Sequence, residues 1–101
     1  METAAPDKES VRHRLMYVNG RLGHLQDELT SLLAEQKGFQ TKWVAFNSMD
    51  EQAKTKLRQR TTYVRMRLTL LREEIAQVKD ARKSLLAQLK DSSKLHPAGA
   101  L

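Results

Sequence analysis

Cysteine is absent from the sequence, and with it go disulfide bonds, thiolate nucleophiles and cysteine-ligated zinc. That suits a reducing compartment, so cytoplasm or nucleus is the expected setting. Proline occurs twice and glycine four times in 101 residues, leaving few points at which a regular backbone must stop. Aromatic residues make up 5% of the chain, too few for a core built on rings. No apolar run approaches the roughly 20 residues that cross a bilayer. The first ten residues carry Glu2, Asp7 and Glu9 and lack a basic segment followed by an apolar one, so no secretory route is expected. Ser93-Lys94-Leu95 resembles a peroxisomal signal but is internal and carries no address.

What the sequence does have is a heptad repeat. Val11, Leu15, Val18, Leu22, Leu25, Leu29, Leu32, Gln36, Phe39, Trp43 and Phe46 follow one another in steps of four and three. This is a coiled-coil seam, with Leu15, Leu22, Leu29, Gln36 and Trp43 at position a and the others at d. A second seam runs through Leu57, Thr61, Val64, Leu68, Leu71, Ile75, Val78, Arg82, Leu85 and Leu89. Between them, Asn47 suits a left-handed helix C-cap, and Ser48 with Glu51 matches a capping box. So short a connection forces the second helix to run back along the first.

The expected fold is therefore all-α, an antiparallel two-helix coiled-coil hairpin spanning 7–91. Its first helix covers about 8–45, its turn 45–48 and its second helix about 49–91. Each arm would be roughly 50 to 60 Å long at 1.5 Å per residue. Residues 1–6 and 92–101 are small, polar or proline-containing and read as flexible tails. Gly20, Gly23 and Gly38 weaken the first helix by about 1 kcal/mol each, and Asn19-Gly20 is also a turn signal, so a break there is the alternative to continuity. Continuity is favoured because the heptad phase persists across it and the glycines fall on outward positions.

Charge selects the register. With the turn centred between Phe46 and Asn47, Arg21 meets Glu74, Glu28 meets Arg67 and Glu35 meets Arg60 along the g rows, whereas a one-heptad slip sets like charges together. Exposed pairs contribute only about 0.2 to 1 kcal/mol, enough to choose a register but not to hold one. The other flank carries Arg58, Arg65, Arg72 and Lys79 at position e, opposite Leu33, Gln26, Asn19 and Arg12. No acid faces that row. It is a candidate stripe for an anionic partner, within a chain whose 18 basic and 12 acidic residues give a net charge of +6.

Further candidates are apolar. Phe39, Trp43 and Phe46 occupy three successive seam positions at the tip, near Lys54 and Asp50 instead of large apolar partners, as either an exposed interface anchor or a plug with a Lys54 cation–π contact. Met16, Leu33, Met66, Leu70 and Leu86, with Tyr17 and Tyr63, fall outside both seams. Leu85 and Leu89 lie opposite the segment before Ser10, where the second helix is expected to outreach the first. These leftovers suggest a second interface, with a protein partner or with a second copy in a four-helix bundle.

Catalytic signals are weak. Neither His13 nor His24 has a second histidine at i+4, and with no cysteine in the chain no metal or cofactor is expected. The Gly20–Gly23 stretch lacks the strand and the Lys-Ser/Thr of a phosphate loop. Glu73 and Glu74 are adjacent on a helix and point apart. No enzyme activity and no small-molecule ligand are expected. The leading expectation is a scaffold or adaptor subunit acting through its helical faces and tip, and the alternative is a nucleic-acid or polyanion binder using the basic stripe. Peripheral membrane binding is disfavoured because the cations flank a seam already used for packing.

Overall fold

The computed structural model describes residues 8–95, with side chains through Asp91, and these form a helical hairpin without strands among the described residues. Helix α1 spans Lys8–Val44, a single 3-10 turn spans Phe46–Ser48, and helix α2 spans Glu51–Leu95. α1 runs through Gly20, Gly23 and Gly38 without interruption. α2 extends through Ser92 to Leu95, beyond the expected end at 91, because neither proline nor glycine intervenes before Pro97 and small polar residues alone do not stop a helix. The expected tail 1–6 and the 96–101 part of the expected tail 92–101 lie outside the described residues.

The hairpin comprises two packing units, one formed by the residues up to His24 with those from Ala76 onward, the other by Leu25–Ile75. In the Leu25–Ile75 unit the buried residues are Leu25, Leu32 and Phe39 from α1 and Leu57, Val64, Leu68, Leu71 and Ile75 from α2. Each contributes about 1.5–3 kcal/mol by leaving water, and this burial, not intrinsic helix propensity, holds two helices that would be marginal alone. The seam is lopsided. On α1 the d residues are buried, but Leu29 at a is half-buried and Gln36 and Trp43 at a are exposed. A Gln amide loses hydrogen bonds to water if it enters an apolar seam, and Thr61 satisfies its own hydroxyl by donating to the Leu57 carbonyl at 2.7 Å. The layer that contains them does not close.

In the other unit Val11, Leu22 and Leu85 are buried, while Leu15, Val18, Val78 and Leu89 are half-buried. The buried Leu85 corrects the expectation of an exposed overhang at that position. α1 already begins at Lys8, and Lys8 is itself half-buried, as a lysine is when its methylenes cover apolar surface and its ammonium reaches water.

The turn differs from expectation in its chemistry. No non-glycine residue among those described has a positive φ, so Asn47 is not a left-handed cap. Instead the chain tightens into 3-10 geometry. Ala45 N–H donates to the Lys42 carbonyl at 3.1 Å, which satisfies one acceptor at the end of α1, and within the turn Ser48 N–H donates to Ala45 and Met49 N–H to Phe46, both at 3.0 Å. Nor does Ser48 cap α2. Asp50 does, its Oδ1 accepting from Ala53 N–H at 2.8 Å, with the carboxylate placed where the helix dipole favours negative charge.

Candidate functional site

The two flanks of the Leu25–Ile75 unit are chemically unlike. On one, Arg60 Nε and Nη2 donate to the two Glu35 carboxylate oxygens at 2.6 and 2.8 Å, and Arg67 makes the same two-pronged contact with Glu28 at 2.7 and 2.9 Å. Arg60 also lies 4.9 Å from the Tyr63 ring centroid. Hydrogen bonds from Arg60 hold the Glu35 carboxyl below the usual carboxylate range, against the opposing effect of partial burial. The same bonds raise Arg60, and those to Glu28 raise Arg67, so both guanidiniums are firmly charged. Arg21 falls in one packing unit and Glu74 in the other.

On the opposite flank lies the open layer. Gln36, Phe39, Gln40, Trp43 and Val44 of α1 and Thr61 and Arg65 of α2 line a trough of about 680 Å³. Its floor is Phe39, which is buried, and its rim is Trp43, 38% exposed, and Val44, 87% exposed. The lopsided seam produces this trough, because a positions that fail to bury turn toward the e flank.

The basic row reaches different neighbours from those its register alone implies. Arg58 sits with its guanidinium carbon 5.0 Å from the Phe46 ring centroid, not against Leu33, and Arg65 borders the trough beside Gln36, Gln40 and Trp43, not Gln26. The reason is that helical side chains lean toward their own N-terminus, which for α2 is the turn, so each long arginine reaches α1 residues nearer the tip. Arg58, Arg65, Arg72 and Lys79 are exposed, and none of them makes an ion pair among the described residues. Lys79 belongs to the other unit from the three arginines.

At the tip, Trp43 and Phe46 stack with ring centroids 4.7 Å apart and planes at 26°. Lys54 Nζ lies 5.2 Å from the Phe46 centroid while also 3.7 Å from Glu51. Phe46 is thus half-buried between an indole and two cations, each cation–π contact contributing about 0.5–1 kcal/mol at an exposed site. One face of Trp43 is occupied and the residue still borders the trough. Sequence reasoning singled out Trp43, Phe46 and Arg65 separately. It missed Val44 and Gln40 and read Gln36 only as a seam position, although a polar residue at a was the one signal that the seam opens there.

Among the apolar candidates, Tyr63, Met66 and Leu70 are exposed and spaced i, i+3, i+7, so they share the outer face of α2 in the Leu25–Ile75 unit. Leu86 is exposed, Leu89 half-buried and Leu85 buried, so of the three only Leu86 stands free in solvent. In the unit holding the helix ends, His13, Arg14, Tyr17, Val18, Ala81, Ser84, Leu85 and Gln88 line a second trough of about 590 Å³. Among the described residues no group of three or more His, Asp or Glu side chains is placed to hold a metal ion, and no helix is long and apolar enough to cross a membrane. No protein-family model, curated protein or solved structure matches the chain.

Proposed function

We propose that the chain is a non-enzymatic scaffold or adaptor subunit that assembles proteins through its helical faces and hairpin tip. What supports this reading is a surplus. The hairpin buries its own seam and still leaves Met16, Tyr17, Leu33, Trp43, Val44, Tyr63, Met66, Leu70 and Leu86 exposed. Scattered exposed apolar residues are ordinary, but Tyr63, Met66 and Leu70 on one face, with Trp43 and Val44 on one trough, are grouped as interfaces group them. The partner is a second protein or a second copy of this chain, in an intracellular setting. Sedimentation at micromolar concentration, alone and with proteins recovered from native extract, tests the proposal. A mass above the monomer, or a partner-dependent rise in thermal stability, is expected. A strictly monomeric chain whose stability no protein alters would refute it.

A second reading has its own support, because Arg65 and Arg72 are exposed cations without an ion-pair partner among the described residues. On this reading Arg58, Arg65, Arg72 and Lys79 bind a nucleic acid or another polyanion. Binding would then fall steeply as salt rises, and reversing Arg65 and Arg72 to glutamate would abolish it. Binding unchanged by that reversal removes the stripe.

A further inference from the structure

The trough beside Trp43 combines three properties that narrow what can fill it. Its walls are two antiparallel helices, with no strand edge to supply main-chain hydrogen bonds to an extended peptide. A helix satisfies its own backbone and seats apolar side chains between two others, as in a three-helix packing. Its floor and rim, Phe39, Trp43 and Val44, are apolar, with the amides of Gln36 and Gln40 between them. Its charge has one sign. Arg65 borders it and Arg72 follows two turns along α2, and no acidic residue occurs between Glu51 and Glu73. Of the acids of α1, Glu28 and Glu35 are bound to Arg67 and Arg60 on the other flank, and Asp27 is not among the residues that line the trough.

These properties disfavour the other occupants. A second copy laid symmetrically in the trough would bring its own Arg58, Arg65 and Arg72 against the first set, and like charges at an interface cost affinity. A single-stranded nucleic acid needs successive aromatic platforms, whereas Trp43 is already stacked on Phe46 and Tyr63 sits against Arg60.

We propose that this trough receives an acidic amphipathic helix of a partner protein, with large apolar residues against Trp43 and Val44 and carboxylates toward Arg65 and Arg72. The inference rests on the assembly role proposed above and names the chemistry of the partner and its seat.

Trp43 is the only tryptophan, so its fluorescence reports on the trough directly. The probe is a synthetic amphipathic helix of about 14 residues, four turns long, with Leu and Phe on one face and glutamates flanking them. Two controls are the same peptide with lysine for every glutamate, and single-stranded oligothymidylate. The acidic peptide is expected to shift Trp43 emission saturably to shorter wavelength. Affinity should fall by about tenfold or more in Arg65→Glu and in Val44→Glu, both surface changes, with helicity by circular dichroism unchanged. Neither control should shift the emission. The proposal is overturned if the acidic peptide gives no saturable shift, if it binds both variants as it binds the original chain, or if oligothymidylate shifts the emission equally. Affinity purification with the original chain and with Arg65→Glu separates the two proposals. Stoichiometric protein partners retained equally by both keep the assembly role and overturn the trough as its seat. No protein partner and no further copy of the chain for either, with a normal peptide response, removes the assembly role and leaves the trough's chemistry standing.

Discussion

Replacing the three glycines of α1 with alanine probes both the continuity of that helix and the absence of close neighbours. Gly20, Gly23 and Gly38 all lie within Lys8–Val44, and none has a positive φ. A Cβ built on any of them meets no heavy atom within 4 Å beyond its chain neighbours and the local helix backbone, so the substitution brings no clash. What remains is backbone entropy and helix propensity, which favour alanine by about 0.8–1.0 kcal/mol per site in a helix interior. Gly38 is remote from the other two, whereas Gly20 and Gly23 are i, i+3 neighbours, so the triple variant should gain up to about 2.5 kcal/mol. For a chain of this size 1 kcal/mol moves the melting temperature by about 4–8 °C, which puts the triple variant up to roughly 10–20 °C above the original. Urea unfolding followed by far-UV circular dichroism measures this, with the slope of free energy against urea unchanged. A loss of stability at Gly20→Ala alone, with gains at the other two, would mean that the chain leaves the helix near Asn19-Gly20. A loss at all three would mean that the outer face of α1 is covered.

The capping assignment predicts that Asp50→Ala costs about 0.5–2 kcal/mol in urea unfolding while Ser48→Ala stays within about 0.5 kcal/mol, and the reverse order would restore the Ser48 cap. Leu71, fully buried, should cost about 2–5 kcal/mol on change to alanine, whereas Met66→Ala on the outer face should leave the isolated chain nearly unchanged, and similar costs at both would mean the seam is misassigned. Glu35 has its folded pKa lowered below its ordinary 4.5, so its contribution to stability is present above that value and is lost as pH falls through the folded pKa. Glu35→Gln should therefore flatten the decline of stability on acidification, by a modest amount because the pair is partly exposed, and an unaltered pH profile would show that the Arg60 contact does not persist in solution.

Much of the architecture was legible because heptad spacing and a short link leave little choice. Steps of four and three specify which residues face inward, and the g-row charges pick out the register in which the two observed pairs meet, because a one-heptad slip would set Glu28 against Glu74 and Lys42 against Arg60. The errors came from effects that spacing does not encode. A heptad treats every a position alike, but Gln36 cannot give up its hydrogen bonds to enter the seam, so the layer opened and drew Trp43 outward with it. Register names the residue opposite a Cα, not the one a five-atom side chain reaches, which is why Arg58 meets Phe46. At the turn, Asn47 and Ser48 carry recognisable capping signals, yet a 3-10 turn satisfied the carbonyls first and left Asp50, directly before Glu51, to cap the second helix. The trough is invisible in sequence for the same reason, since it exists only where a polar a position, a small one and a large ring occur in one neighbourhood.

The claim that this hairpin serves to assemble proteins is tested most directly by affinity purification of the chain from native extract at near-physiological salt with nuclease treatment, followed by the mass of the recovered complex. The expected result is a complex heavier than the monomer whose protein components, a partner or further copies of the chain, survive nuclease in fixed proportion. Recovery of the monomer alone, or of material that nuclease releases entirely, would contradict it.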